Sequence, residues 1–195
     1  MGNLCIISDD CFGWGVYNTL KLQYNTPFIS TLIHTPDYIK LLYNLDYYLN
    51  CELTKIDTEE SNYHKLYGCK PHVTTIVGKL KDVEIVFCHC DCDAQTTFDT
   101  WYRRRDRMYK EKNRLVIKMG SIEKHQDHNK QLCHYDNFNE LIKQFYKLPY
   151  GKKLTFTKDK LQYPNNFKML PHHLYRRDLL GMEFKRYIDI LKFAK

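Results

Sequence analysis

The sequence predicts an α/β protein with three layers, in which a mixed or mostly parallel sheet carries helices on both faces. Short apolar runs of strand type recur along the 195 residues and alternate with segments whose apolar residues have helical spacing. The chain opens with one such run, residues 4–8, which a polar turn and a helix-compatible segment follow. No stretch of about eighteen apolar residues occurs, so no membrane-spanning segment is expected.

Local signals predict the elements of the first half of the chain. Thr35 followed by Pro36 is typical of a helix start, with Thr35 as the N-cap residue. Two apolar runs flank the turn Lys79–Asp82 and predict a β-hairpin. The predicted elements are a strand at 4–8, a helix at 14–21, a helix from Thr35 to Leu49, a strand at 51–56 and hairpin strands at 73–78 and 83–88.

The second half continues the alternation of helices and strands. We predict one α/β domain over residues 1–195, with residues 158–195 as a candidate C-terminal helical extension. The predicted elements are a charged helix at 98–112, a strand at 115–119, a polar His-rich loop at 120–135, a helix at 138–146, a strand at 153–157, an irregular segment at 158–173 and an amphipathic helix at 174–193.

The charge and the cysteine content limit the expected partners and compartment. The formal net charge is +7, which favours an anionic ligand. The basic residues are mostly interleaved with acidic ones and no nucleic-acid-binding motif occurs, so nucleic acid is not an expected partner. Eight irregularly spaced cysteines without a secretory signal indicate reduced thiols rather than a disulfide framework. These observations predict a cytoplasmic protein.

The turn after the first strand carries the candidate nucleophile, Cys11. A thiolate there would gain from the positive end of the following helix. His89, at the end of the strand 83–88, is the candidate base, and Asp91 could orient its imidazole. If the strands 4–8 and 83–88 are parallel neighbours, Cys11 and His89 lie at one carboxyl edge, where open α/β sheets bind ligands. The alternative is that both side chains are structural.

The strongest basic motif is the run from Trp101 to Arg107. On a helix Arg103 and Arg107 share a face. Guanidinium groups bind phosphate or carboxylate bidentately, and aromatic rings stack on sugars or bases. The structural alternatives are a solvated helix face and, at residues 24–25, an ordinary turn. The candidate substrate- or anion-binding residues are Tyr24, Asn25, Trp101, Arg103, Arg104 and Arg107.

Two short motifs raise the question of a metal ion. Asp91-Cys92-Asp93 matches the D-x-D pattern with which metal-dependent sugar-nucleotide transferases hold a divalent ion. Cys88, Cys90 and Cys92 alternate along an extended segment, unlike the turn that brings two sulfurs together in zinc sites. Buried thiols are therefore the preferred interpretation of the cysteines. No metal site or cofactor is predicted, and a divalent ion at Asp91 and Asp93 is the alternative.

Several blocks occur in an order that characterises one family. The matching blocks are Ile7-Ser8-x-x-Cys11-x-Gly13, Tyr24-Asn25-x-Pro27-Phe28, Asp37-Tyr38-Ile39-Lys40, Val77-Gly78-x-Leu80-x-Asp82-Val83-Glu84-Ile85, Trp101-x-Arg103-Arg104-x-x-Arg107 and Leu148-Pro149-Tyr150-x-Lys152-Lys153. Together they resemble a bacterial and viral family of unknown function labelled "exopolysaccharide biosynthesis protein", found in capsule and exopolysaccharide gene clusters. That family commonly has two asparagines where this chain has Asp9 and Asp10. Two carboxylates beside a thiol oppose its ionisation.

The resemblance implies a role in glycan assembly or modification, and three functions stay open. The first is a transferase that acts on a sugar or a nucleotide sugar. The second is a thiol hydrolase or acyltransferase that uses Cys11 and His89, since a cysteine early in the chain and a later histidine at a strand end are similar to the papain-like cysteine peptidases. The third is a non-catalytic binding protein of a polysaccharide pathway.

Overall fold

The computed structural model of the protein describes residues 4–62, 64, 75–88, 92–108, 115–120, 125–126, 132–133, 138–157 and 167–171. Their elements confirm the α/β class. The helices are α1 (Phe12–Thr19), α2 (Thr35–Tyr43), α3 (Leu45–Asn50), α4 (Ala94–Asp106) and α5 (Phe138–Lys147). The strands are β1 (Cys5–Ser8), β2 (Thr31–Leu32), β3 (Leu53–Ile56), β4 (Ile76–Leu80), β5 (Val83–Phe87), β6 (Leu115–Met119), β7 (His125–Gln126), β8 (Leu132–Cys133), β9 (Lys152–Thr157) and β10 (Phe167–Pro171).

Sheet A is parallel and has the strand order β1-β6-β9-β10. In its register Cys5 lies opposite Leu115 and Ser8 lies opposite Lys118. The ladder continues one residue beyond β1, where the Asp9 amide donates to the Lys118 carbonyl at 3.4 Å. Because all neighbouring strands run in the same direction, the carboxyl ends of β1, β6 and β9 meet at one edge of the sheet.

Sheet B is antiparallel and has the order β2-β5-β4-β3. The predicted hairpin of β4 and β5 pairs Leu80 with Val83, so its turn consists of Lys81 and Asp82 and is shorter than the predicted turn Lys79–Asp82. β7 and β8 form a separate two-stranded ladder. The predicted mixture of parallel and antiparallel strands is thus distributed over two principal sheets.

The chain divides into two compact units, each built from separated stretches of sequence. Unit 1 comprises residues 1–30, 102–121 and 149–195, and it contains sheet A. Unit 2 comprises residues 31–101 and 122–148, and it contains sheet B. A single folding domain over the whole chain stays a prediction.

Each unit has its own apolar packing. In unit 1, Ile6 of β1 and Val16 of α1 are fully buried in a cluster with Val116 and Leu154 from β6 and β9. In unit 2, the Phe87 ring contacts the rings of two residues on α4, Phe98 and Trp101, with centroids 5.9 and 5.8 Å away. The packing explains why β1 and β6 are uniformly apolar in sequence except at their carboxyl ends.

The structure differs from the predicted elements at several boundaries. The helix expected from Thr35 to Leu49 is divided at Asn44, where α2 ends and α3 begins. The N-cap residue of α2 is His34, one position before the predicted Thr35, so Pro36 is the second helical residue instead of the predicted first. β10 lies within the segment predicted to be irregular. The predicted helix at 174–193 lies outside the described residues.

Candidate functional site

The carboxyl edge of sheet A holds a buried cluster of three charged side chains. Asp9 and Asp10 follow directly after β1, and Lys118 lies near the end of the neighbouring β6. Their exposed fractions are 2%, 3% and 0%. The register of the parallel pair brings the lysine to the acidic residues, since Ser8 is its direct partner across the strands.

Hydrogen bonds hold both carboxylates in defined positions. The Lys118 ammonium donates to Asp10 Oδ2 and lies 3.5 Å from Asp9 Oδ1. The Gly120 amide donates to both oxygens of Asp9, at 2.7 and 2.9 Å. The Phe12 amide, in the first turn of α1, donates to Asp10 Oδ1 at 3.0 Å. The Asp9 carboxylate is thus tied to β6, and the Asp10 carboxylate is tied to both β6 and α1.

Burial changes the acid–base behaviour of this cluster. Removal from water raises the pKa of Asp9 to about 7, and the negative charge of Asp10 acts in the same direction. The Lys118 ammonium and the Gly120 amide oppose this rise without cancelling it. A raised carboxyl pKa brings proton exchange closer to neutral pH than in an exposed aspartate, which suits a general acid or base.

Cys11 lies beside the cluster as the N-cap residue of α1 and is half-buried. The loop that carries it is fixed by Ser8, whose hydroxyl donates to the Asp10 carbonyl at 2.7 Å and accepts from the Gly13 amide at 3.3 Å. A β-carbon at Gly13 would lie 3.2 Å from that hydroxyl, so the tight loop favours glycine there. Cys11 is the most accessible side chain of residues 8–13.

Asp9 and Asp10 oppose a thiolate at Cys11 less strongly than the sequence alone suggests. Both carboxylates contact the Lys118 ammonium, whose positive charge offsets part of their field. The raised pKa of Asp9 in addition favours its neutral form more than in an exposed aspartate. The two acidic residues therefore present less negative charge to the loop than their number suggests.

A second cluster joins three of the predicted binding residues at the opposite end of β1. The Arg104 guanidinium lies over the Tyr24 ring, 4.8 Å from its centroid. Tyr24 packs edge-on against Tyr17, whose hydroxyl donates to the Leu4 carbonyl at 2.8 Å and also contacts Asn25 Oδ1. Because Leu4 precedes β1, this group belongs to the amino end of the strand, whereas Cys11 follows its carboxyl end.

The remaining predicted residues of the basic motif differ in exposure. Trp101 is 1% exposed and packs edge-on against Phe87 in unit 2, which gives its ring a packing role. Arg103 and Arg107 are exposed. Within unit 1, Cys11 therefore lies at the carboxyl end of β1, whereas Tyr24, Asn25 and Arg104 group at its amino end.

The expected catalytic partners of Cys11 lie outside the described residues. This applies to His89 and Asp91. The strand before His89, β5, belongs to antiparallel sheet B, so it is not the parallel neighbour of β1 that the Cys11–His89 hypothesis assumed. The pairing of Cys11 with His89 and Asp91 stays a prediction without that support.

Asp93, one of the two residues of the alternative metal site, has a structural role in the fold. Its Oδ1 accepts from the Thr96 amide at 2.9 Å and its Oδ2 from the Thr96 hydroxyl at 2.9 Å, so it caps the start of α4. These two bonds hold the pKa of Asp93 below its usual range. Among the residues that the structure describes, no group of three potential ligands is placed to hold a metal ion.

Sequence reasoning did not single out Lys118 or Gly120. A signal for the lysine was present, since it interrupts the apolar run Leu115–Met119. Lysine is almost never fully buried unless it is paired, so a lysine in a strand that is otherwise wholly apolar implies a nearby acidic partner. For the glycine the chain offered no comparable signal.

The fold and this cluster define an α/β protein with a buried acid–lysine centre at the carboxyl edge of a parallel sheet. A family model described as "Domain of unknown function (DUF1919)" matches residues 2–173, and the chain belongs to this family. An uncharacterized protein of Haemophilus influenzae (strain ATCC 51907 / DSM 11121 / KW20 / Rd) is 31% identical over 105 residues, which are 54% of this chain. The match covers 44% of that relative's length. In the described parts of the chain, no helix has the length and apolarity to cross a membrane.

Proposed function

We propose that the protein is a transferase that acts on a sugar or an activated sugar in glycan assembly. Its catalytic centre is the group Asp9, Asp10, Cys11 and Lys118. One observation carries the proposal: two adjacent carboxylates and one ammonium are buried where open parallel sheets bind their ligands. Strongly perturbed titratable groups cluster at functional sites, since burying charge without a function is unfavourable.

The proposed chemistry follows from the different environments of the two carboxylates. Transfer to a hydroxyl needs a base that takes the hydroxyl proton, and the pKa of Asp9, about 7, suits this task at neutral pH. The Lys118 ammonium stabilises the negative charge of Asp10 throughout and that of Asp9 whenever Asp9 is deprotonated. The Asp9 side chain is fully buried and Cys11, two residues further on, is half-buried, so in this proposal the acceptor approaches from the Cys11 side.

The glycan part of the proposal has a different source. It comes from the resemblance of the ordered sequence blocks to proteins of capsule and exopolysaccharide gene clusters. Membership of the DUF1919 family supports the blocks as homologous, because its model covers residues 2–173. The net charge of +7 supports a donor or acceptor that carries an anionic group.

A transfer assay with the purified full chain tests the proposal. A panel of nucleotide sugars is offered with oligosaccharide acceptors, and the acceptor mass and the released nucleotide are measured. Asp9→Asn should lower kcat roughly 100-fold or more at neutral pH, because a positioned base contributes on that order. Asp37→Asn is the matched control, since Asp37 also contacts a lysine but lies in unit 2. Unchanged kcat in a folded Asp9→Asn protein would contradict the proposed base.

Thiol chemistry at Cys11 is the second candidate function. It is favoured by the half-buried position of Cys11 at the start of α1, where the helix dipole stabilises a thiolate. The thiolate would attack an acyl carbonyl and expel the leaving group, and an acceptor hydroxyl would then displace the thiol from the thioester. Intact-protein mass spectrometry should show the acyl group on wild-type protein and not on Cys11→Ser.

Cys51→Ser is the control for the thiol test, because Cys51 is also half-buried and lies in unit 2. Acyl transfer that survives Cys11→Ser, together with loss in Asp9→Asn, would favour the transferase without a thiol intermediate. Full pathway output after replacement of Asp9, Cys11 and Lys118 would leave only the non-catalytic binding role.

A further inference from the structure

The end of α4 concentrates positive charge on the surface of unit 1. Four arginines occur between residues 103 and 107. Arg105 is paired with Asp106 at 2.9 Å and lies over the Tyr102 ring, and Arg104 lies over the Tyr24 ring. Arg103, in the last turn of α4, and Arg107, one residue beyond its end, are both exposed.

The position of this basic cluster is fixed by contacts with sheet A. Arg104 connects α4 to Tyr24, and Tyr24 packs against Tyr17 at a centroid distance of 5.7 Å. The Tyr17 hydroxyl in turn donates to the Leu4 carbonyl and accepts from the Ile6 amide at 3.2 Å. Arginines presented on a packed scaffold lose less conformational freedom on binding than arginines on a free loop.

This cluster is separate from the proposed catalytic centre. The Tyr17 contact lies at Leu4, whereas the buried charges begin at Asp9. Five residues of extended chain span roughly 16 Å, which exceeds the size of one sugar ring. A single bound sugar at the carboxyl edge therefore does not account for the arginines at the amino end.

The chemistry of the cluster indicates what it binds. Guanidinium groups recognise carboxylates through paired hydrogen bonds. The Tyr24 and Tyr102 rings each carry a guanidinium group on one face, so these rings hold arginines in place. We infer that Arg103 and Arg107 bind successive carboxylates of an acidic glycan chain, at a site distinct from the catalytic centre. The choice of a glycan rests on the proposed function.

A binding measurement without turnover tests this inference. Fluorescently labelled oligogalacturonate of defined length is titrated with the full chain, and a neutral maltooligosaccharide of the same length is the reference ligand. Arg103→Ala with Arg107→Ala should raise the Kd for the acidic ligand by roughly tenfold or more, since charged hydrogen bonds are lost. Lys143→Ala with Lys147→Ala removes the same charge from exposed positions on α5 and should change the Kd less than about twofold.

The possible results separate this inference from the proposed function. An equal loss in both double variants would show general charge attraction and overturn it, as would equal affinity for the neutral glycan. Tighter binding of single-stranded DNA with the same dependence on Arg103 and Arg107 would assign the site to nucleic acid instead. Asp9→Asn should bind the acidic ligand as wild type does. Loss of transfer in every assay would refute the transferase and leave this binding result standing.

Discussion

Two lysines of this protein each contact two aspartates, one group buried and the other at the surface. In unit 1, Lys118 contacts Asp9 and Asp10, and all three side chains are at most 4% exposed. In unit 2, Lys40 lies 3.2 Å from Asp37 and 3.0 Å from Asp82, with Lys40 39% and Asp82 63% exposed. The two groups have the same charges and similar contact distances, so they differ mainly in their access to water.

The access to water reverses the direction of the pKa shift. Hydrogen bonds from Lys40 and Tyr48 hold the pKa of Asp82 below its usual value. Burial raises the pKa of Asp9 to about 7, although the Lys118 ammonium lies 3.5 Å from its carboxylate. The ammonium stabilises a carboxylate in both groups, but only in unit 1 does the loss of hydration exceed that stabilisation. A lysine with two aspartates therefore forms a charged surface group in unit 2. In unit 1 the same combination of residues forms a buried group in which the pKa of one carboxyl group is raised.

The largest expected effect comes from removing the buried lysine. Lys118→Met leaves Asp9 and Asp10 buried without their cation and should lower the free energy of unfolding by about 3–5 kcal/mol. Lys40→Met, at the surface, should lower it by at most about 1 kcal/mol. Denaturant unfolding of both variants measures the difference between the two groups.

A rescue keeps this prediction testable if Lys118→Met does not fold. Adding Asp9→Asn and Asp10→Asn removes the unpaired negative charge and should recover folding, since neutral amides tolerate burial better than carboxylates. Equal stability losses in Lys118→Met and Lys40→Met would show that burial does not distinguish the two groups.

The two groups also show how far sequence reasoning reached. β1 and β6 were predicted within a residue because an apolar run identifies a buried strand from local information alone. The carboxyl-edge location of Cys11 followed from the same strand. The partnership of Lys118 with Asp9 could not be predicted, because it joins residues 109 positions apart and depends on the parallel register of β1 with β6. The same limitation affected the Cys11–His89 hypothesis, because β5, which precedes His89 in the sequence, pairs antiparallel with β4.

The second prediction concerns the pH dependence of stability. The pKa of Asp9 is higher in the folded protein than the ordinary aspartate value of 3.8, so the folded state binds this proton more tightly than the unfolded state. Wild type should therefore lose stability relative to Asp9→Asn by about 2 kcal/mol between about pH 5 and pH 7, and the difference should level off above pH 7. Unfolding curves of both proteins across this range measure it. A difference that is constant with pH would contradict a raised pKa at Asp9.

The third prediction concerns the space around the buried group. A β-carbon at Gly120 would lie 3.3 Å from both Asp10 Oδ2 and Lys118 Nζ and 3.5 Å from Asp9 Oδ1. Gly120→Ala should therefore lower the free energy of unfolding by about 1 kcal/mol, because packed charged groups cannot move apart freely. It should also change the pH dependence that Asp9 produces, since Gly120 donates to both Asp9 oxygens. Unfolding curves across the same pH range measure both effects, and unaltered stability with an unaltered pH profile would show that the buried group is loosely packed.

The smallest expected effect belongs to the surface group. Asp82→Asn weakens the bonds from Lys40 Nζ, at 3.0 Å, and from the Tyr48 hydroxyl, at 2.9 Å. The carboxylate pKa is lowered in the folded state, so its contribution is present at neutral pH and is lost as the pH falls through that lowered value. Because Asp82 is 63% exposed, the loss should be at most about 1 kcal/mol at low ionic strength and should shrink further in roughly 1 M salt. Unfolding curves with and without salt measure this loss of stability. A larger loss that does not depend on salt would show that the Lys40 group is not screened by water, and it would contradict the contrast with the buried Lys118 group.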